Sequence, residues 1–269
     1  MAVKAPYIQR QPAHYAVQSL DRAIDLLEVF QSGEDERGVA ELGRALDLPR
    51  ATVHRLLAAL SHRGLLVQSE RTGKYRLGFK LFELGSMVGE SLDVRRVARP
   101  YLVDLVRQSG ETAHLVVLDG VDVVFVDKVE TDNPFRMVSQ LGRRLPACHS
   151  GSGKALLARL SEDELLQRYA AVPPGHAGGE VDLSLLRRQL VEARLRGYAL
   201  DDQETQAGLR CVGAVVLDFA GTAVAGLSIS GPIVRIGDDR FPELARLVCA
   251  AVAAVSRGLG YRVPDPVTP

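Results

Sequence analysis

Cysteine is scarce in this chain of 269 residues. Cys148, Cys211 and Cys249 are odd in number and widely spaced, which gives neither a disulfide framework nor the CxxC pairing of a metal site. Three reduced thiols are expected. Aromatic residues make up 5% of the chain, so no aromatic cage announces the chemistry of a ligand. No apolar run approaches the ~20 residues needed to cross a bilayer, and residues 1–12 lack the basic segment and apolar stretch of a secretory signal. A cytoplasmic protein without membrane contact is expected. Net charge is absent too, at +0, which at face value argues against a nucleic-acid partner.

What is present changes that reading. A content of 46% hydrophobic and 25% charged residues is that of a folded soluble protein with one large or two ordinary domains. Charge is segregated: between Arg44 and Lys80 eight Lys/Arg face two acids, Asp47 and Glu70, a segment that a phosphate backbone would feel.

The same segment has an ordered pattern. Leu20, Ala23, Ile24, Leu27 and Phe30 recur at helical spacing, with Ser19 as the expected N-cap and Gly33 as the expected end. A short second helix carries Val39, Leu42 and Leu46 on one side, and Asp47-Leu48-Pro49-Arg50 is too short for anything but a tight turn. Pro49 suits the first turn of a third helix, where a missing N–H costs nothing. That helix has the stripe Val53, Leu56, Leu57 and Leu60. Its other face carries Ala51, Arg55, Ala58 and His62, flanked by Thr52 and His54. Leu65-Leu66-Val67 and Tyr75-Arg76-Leu77 then flank an Arg71-Thr72-Gly73-Lys74 tip, the pattern of a hairpin.

Three short helices and a basic hairpin predict a winged helix-turn-helix. A recognition helix must offer a slim, positive face to the major groove while its other side is anchored. Ala51 and Ala58 leave room for close approach, and Arg55 could donate bidentately to guanine O6 and N7. Thr52 and His54 can reach base edges or phosphates, Arg50 lies at the groove lip, and Arg71 and Lys74 suit phosphate or minor groove. The partner expected is double-stranded operator DNA.

Beyond Gly78 an apolar helical pattern (Leu81, Leu84, Val88, Leu92) reads as a linker and subunit contact. Helices are expected near 93–109, after Ser152, and near 162–169, 183–196 and 241–258. Strands are expected near 113–118, 123–129, 135–140, 211–217 and 222–230. Antiparallel neighbours with helices packed on the sheet indicate α+β. In residues 224–230 the alternation puts Ser228 and Ser230 on one face, opposite Ala225, Leu227 and Ile229, and buried hydroxyls need partners. Cys211 opens the neighbouring strand, and Asp201 precedes it. His149-Ser150-Gly151-Ser152-Gly153 precedes a helix, so its N–H groups offer a carboxylate site.

Taken together, the chain resembles the IclR family of bacterial regulators over residues 15–261. The resemblance rests on Ser19-Leu20-Asp21-Arg22-Ala23, Val53-His54-Arg55-Leu56-Leu57, Tyr75-Arg76-Leu77-Gly78, Gly153-Lys154-Ala155-Leu156-Leu157-Ala158, Gly197-Tyr198-Ala199-Leu200-Asp201-Asp202 and Ser228-Ile229-Ser230-Gly231-Pro232. It implies a homodimer or dimer of dimers, a pseudo-palindromic operator, repression of a neighbouring catabolic operon, and a GAF/PAS-like α/β effector-binding domain. It also implies a small organic acid held by the loop His149 to Gly153 with Asp201, Cys211, Ser228 and Ser230. The loop departs from the family's usual His/Thr-Ala-x-Gly-Lys-Ala, which leaves the ligand's identity open. The expected organisation is a tail over 1–14, a winged helix-turn-helix over 15–77, a linker helix over 78–92, an effector-binding domain over 93–262 and a tail over 263–269.

Other chemistries fit less well. A P-loop would need glycine at Cys148 and Ser or Thr at Ala155. A nucleophile elbow centred on Ser152 would need glycine where Ser150 stands. His149, Asp201 and Cys211 could chelate zinc but form no spacing motif, and His114 and His176 read as a strand and a loop residue. No catalytic residue, metal or cofactor is expected. An activator, or a ligand-processing enzyme with an accessory DNA-binding domain, is the alternative.

Overall fold

The computed structural model describes residues 17–32, 36–90, 93–134, 139–173, 176 and 181–262. The chain divides into two compact units, Met1–Ser91 and Leu92–Pro269. The two expected tails, 1–14 and 263–269, lie outside the described residues.

In the first unit, α1 spans Gln18–Glu28 and runs on as a 3-10 turn over Val29–Ser32. Ser19 lies inside this helix, behind Val17 as N-cap, and no side chain caps it; Gly33 is outside the described residues. The expected apolar stripe is rotated. Leu26 and Phe30 are buried with Ala23 and Leu27 beside them, whereas Leu20 and Ile24 are exposed. α2 (Val39–Leu46) starts at Gly38, whose N–H donates to Glu41 Oε2 at 2.8 Å, and ends at Asp47, a left-handed residue at φ 51°. Pro49 is the N-cap of α3 (Arg50–His62), one place earlier than expected, with its carbonyl accepting from Thr52 and Val53. Val53, Leu57 and Leu60 are buried against Leu26, Leu42 and Leu66, and each such side chain contributes ~1.5–3 kcal/mol on leaving water.

The wing follows. β1 (Leu66–Gln68) pairs antiparallel with β2 (Tyr75–Leu77), Leu66 facing Leu77. Gly73 turns the tip at φ +66°, a conformation only glycine adopts freely. Gly78 holds the base: a Cβ there would lie 2.1 Å from the Gly64 carbonyl oxygen. α4 then spans Phe79–Glu90.

In the second unit, α5 (Asp93–Ser109) precedes a six-stranded antiparallel sheet. Its strands are β3 (Thr112–Asp119), β4 (Asp122–Val129), β5 (Arg144–Pro146), β6 (Ala199–Asp202), β7 (Leu209–Leu217) and β8 (Ala223–Pro232), in the order β5-β4-β3-β8-β7-β6. The short strands β5 and β6 were not anticipated. Of the expected strand over 135–140, residues 135–138 lie outside the described residues, and 139–140 are not in a strand. Three further helices, α6 (Gly151–Leu157), α7 (Glu162–Ala170) and α8 (Leu183–Arg196), lie between β5 and β6, and α9 (Phe241–Gly258) closes the chain.

Alternation along the strands builds two cores. Ala113 and Leu115, Val212, Ala214 and Val216, and Ala225, Leu227 and Ile229 point to one face, under α5 and α9. The opposite face packs on α6 and α8 through Leu156, Leu157, Leu186 and Leu190. This period-2 division sends the polar residues of β3, β7 and β8 to the α6 side.

Candidate DNA-reading and effector sites

On α3 the anchored stripe and the presented face are separate. Ala51, His54, Arg55 and Ala58 are exposed, as is Arg50, and Thr52 is half-buried. Among the described residues no hydrogen bond or ion pair engages Arg50, Arg55 or Arg71, so these guanidiniums project free from helix and wing. Lys74 differs. Its Nζ lies 3.3 Å from Glu41 Oε1, so this wing cation ties the hairpin to α2, and the same carboxylate caps that helix. Thr72 likewise donates to Glu36 Oε2 at 2.7 Å.

The other site depends on glycines. α6 sits so close to the sheet that a Cβ on Gly213 would fall 2.2 Å from the Ser152 nitrogen, and one on Gly226 would fall 3.0 Å from Ser152 Cβ. Gly151 and Gly153 meet main chain in the same way, Gly151 against Ala199, Cys211 and Gly213 and Gly153 against Ala147. Glycine inside a strand marks such an approach. These contacts hold Ser150 and Ser152 over β7 and β8.

A cavity opens between them. Ser150, Ser152, Asp201, Cys211, Ser228 and Ser230 line it, and it is narrow, with a volume of about 20 Å³. His149, Gly151 and Gly153 do not line it: the glycines pack on backbone, and His149 contributes its carbonyl, which accepts from Thr205 Oγ1 at 3.2 Å. His149, Asp201 and Cys211 therefore do not converge on one point. His114, Phe125, Leu145, Thr205, Leu209 and Arg210 also line the cavity and were not anticipated. The period-2 rule could have found His114, the polar residue between Ala113 and Leu115.

Strand register explains the convergence. Asp201 faces Cys211, Cys211 faces Ser230 and Ser230 faces Thr112; on the next same-face rung Gly213, Ser228 and His114 follow one another. Same-face neighbours on adjacent strands lie ~4.5–5.5 Å apart at Cβ.

The lining is nearly uncharged. Ser150 Oγ accepts from the Gly153 N–H at 3.2 Å and lies 3.1 Å from Ser152 Oγ. The expected anion site at this helix start is thus partly closed by its own cap. Burial pushes the Cys211 thiol up to about 11, and Asp201 adds to it, so the thiol stays protonated. Burial also raises the Asp201 carboxyl, against the N–H donors of Glu204 and Thr205 at 2.8 and 3.2 Å. Arg210, the one cation of the lining, is bound to Asp202, Asp238 and the Ile236 carbonyl. Lys154 is 2% exposed and pairs with Glu204. What remains is a small hollow of hydroxyls, a thiol, an imidazole and one acid. Among the described residues no group of three or more His, Cys, Asp or Glu could hold a metal, and no helix is long and apolar enough to cross a membrane.

Comparison with known proteins bears on both units. Residues 19–70 match the IclR helix-turn-helix domain, and residues 87–257 match the bacterial transcriptional regulator IclR C-terminal domain. The chain belongs to the IclR family of transcriptional regulators. It is 36% identical to the transcriptional repressor IclR of Escherichia coli, over 96% of this chain and 95% of that one. The crystal structure of the Thermotoga maritima IclR is 31% identical, with a TM-score of 0.72 over 91% of this chain and all of that one. A structure of an IclR homolog from Microbacterium hydrocarbonoxydans complexed with 4-hydroxybenzoate is 25% identical, with a TM-score of 0.75 over 90% of this chain and 99% of that one. An IclR-family chain carries a helix-turn-helix for operator DNA and a C-terminal α/β domain for an effector. The family is one of regulators, and no enzyme family is indicated.

Proposed function

We propose that the protein is a cytoplasmic repressor of a neighbouring catabolic operon, that α3 and the wing read the operator, and that a small carboxylic acid in the C-terminal cavity changes operator affinity. The observation that carries this reading is the cavity itself: six side chains from four stretches of the chain, Ser150, Ser152, Asp201, Cys211, Ser228 and Ser230, meet in one hollow. The chain that holds it also presents an unpaired basic helix face. With Arg210 occupied elsewhere, the acid is held by hydroxyl donors from α6 and β8 rather than by an ion pair. The 4-hydroxybenzoate bound by the Microbacterium hydrocarbonoxydans homolog supports a carboxylic acid as the class.

In this reading Arg55 contacts base edges, with Ala51 and Ala58 permitting close approach. Arg50, Thr52, His54 and Arg71 reach base edges or phosphates, and Lys74 stiffens the wing. The working unit is a homodimer or a dimer of dimers. Val17 at the N-cap of α1, Leu20 and Ile24 on it, and Phe79, Phe82 and Leu84 on α4 are large exposed apolar residues, and such patches mark association surfaces. A two-fold dimer reads a pseudo-palindrome with half-sites about one helical turn apart.

The test is operator release. Full-length protein is bound to a DNA fragment selected from its own genome and titrated with small carboxylic acids. Release by at least one acid, lost in Ser228→Ala/Ser230→Ala, supports the reading; an acid response unchanged in that variant removes the cavity from it. Consumption of the acid, seen by product analysis, would favour the enzyme alternative.

A further inference from the structure

The cavity is smaller than the occupant proposed for it. A volume of about 20 Å³ has room for a single water and not for a carboxylate, so an acid enters only when a wall moves. Most of the walls are fixed. β3, β8 and β7 are neighbours in one continuous hydrogen-bonded sheet, and α6 is clamped to that sheet by main-chain contacts at Gly151 and Gly213. The remaining wall beside Asp201 is the turn that joins β6 to β7, residues 203–208, which places Thr205 in the lining.

This turn is built as a strap. It is exposed along most of its length and contributes no side chain to either core, which is the profile of a segment that opens locally. It begins and ends in left-handed backbone, Gln203 at φ 65° and Gly208 at φ +80°, and for Gln203 that conformation is one that residues other than glycine rarely take. The closed arrangement is therefore held by polar fastenings. At the cavity, the Glu204 and Thr205 N–H groups both donate to Asp201 Oδ1, at 2.8 and 3.2 Å, and Thr205 Oγ1 donates to the His149 carbonyl at 3.2 Å. Away from the lining, Lys154 Nζ of α6 donates to Glu204 Oε1 at 2.5 Å, and Gln189 Nε2 of α8 lies 3.4 Å from Glu204 Oε2.

Lys154 is the fastening that resists opening most. Its side chain is 2% exposed, and among the described residues Glu204 is the only partner of its ammonium. Lifting the strap would strand a buried cation, which is costly.

We propose that residues 203–208 are the gate of the cavity and that the Lys154–Glu204 ion pair is its bolt, setting how often the cavity opens rather than what binds inside it. The purpose of the gate rests on the cavity being the effector site; its opening is measured without any acid.

The three cysteines of the full chain report on it. Cys211 lines the cavity, Cys148 is buried in the core that α6 and α8 share, and Cys249 on α9 is half-buried. Iodoacetamide is applied to the native protein and each site is followed by mass mapping. Lys154→Met keeps the length of the side chain and leaves no buried charge. In this variant Cys211 is expected to react about tenfold faster than in the wild type, the worth of a charge-assisted hydrogen bond, with Cys148 and Cys249 unchanged. Access is what changes, because neither Lys154 nor Glu204 is among the groups that set the ionisation of the Cys211 thiol. Hydrogen exchange should accelerate in residues 203–208 and not in α6, β7 or β8. Glu204→Gln, altered at the less buried partner, should shift both readouts in the same direction, and it carries the test if Lys154→Met does not fold. An unchanged Cys211 rate in both variants overturns the proposal. So does acceleration of Cys148 in step with Cys211, which would mark global opening, and so does exchange that rises in residues 139–146 instead, which would put the entrance beside β5. An acid response retained in Ser228→Ala/Ser230→Ala removes the effector reading and leaves these rates as they are.

Discussion

Gly213→Ala tests the packing that creates the cavity. A Cβ at this position would lie 2.2 Å from the Ser152 nitrogen, 2.5 Å from its Cα and 2.6 Å from the Gly151 carbonyl carbon. These are main-chain atoms, so no rotamer change relieves the overlap, and α6 must move by ~1 Å to restore van der Waals contact. Overpacking of this kind costs ~1–3 kcal/mol, and backbone neighbours put Gly213 at the upper end. A domain of this size loses roughly 2–4 °C in Tm per kcal/mol, so scanning calorimetry should show a fall of roughly 6–12 °C. Gly197→Ala is the control: its φ is +79° with nothing within 4 Å, so it is strained but displaces nothing. Displacing α6 also exposes the Cys211 thiol, which lies under Gly151. Mass-mapped alkylation of the native protein should therefore label Cys211 in Gly213→Ala and not in Gly197→Ala. A Gly213→Ala melt within ~1 °C of wild type, with Cys211 still protected, would refute the close approach of helix and sheet.

Leu57→Ala should destabilise the winged domain by ~2–5 kcal/mol, since a fully buried leucine leaves a cavity when truncated; denaturant titration measures it. Glu111, buried and bidentate to Arg235 at 2.6 and 2.7 Å, loses two charge-assisted hydrogen bonds when replaced by Ala, at a cost of ~1.5–3 kcal/mol by the same method. His114 makes stability depend on pH. The unfolded chain takes up that proton near 6.5 and the folded chain only near about 4. The contribution is complete above 6.5, is lost as pH falls to about 4, and amounts to ~3 kcal/mol. His114→Gln should show a shallower pH dependence of unfolding across that window, and an unchanged slope would contradict the burial assigned to the ring.

Long periodic segments were legible in the sequence. The helices over 93–109, 183–196 and 241–258 lie where their apolar spacing put them, because a stripe sustained over several turns has only one solution. β5 and β6, three and four residues long, have too few residues for alternation to register. In α1 the same rule misplaced the buried face, since Leu20 and Ile24 satisfy helical spacing as well as Leu26 does but face outward. The serines of β8 were legible because two hydroxyls interrupted an apolar strand. Gly213 was not, although a glycine within a strand signals a close neighbour. Gly151 and Gly153, expected at the ligand, pack against main chain and let α6 approach, which depends on the surface each glycine faces and not on local sequence. Nothing local reveals that Arg210 is occupied, because Asp238 is brought to it by the fold.

The most direct measurement is of operator discrimination by Arg55. Fluorescence anisotropy compares a selected operator with a scrambled duplex across a salt series, for wild type and Arg55→Ala. The wild type should bind both with steep salt dependence and prefer the operator. Arg55→Ala should lose ~1–3 kcal/mol of that preference while retaining most of its salt-driven affinity, as expected for a base-reading side chain. Equal preference in the two proteins, or no salt-dependent binding by either, would contradict the assignment of α3 as the element that reads DNA.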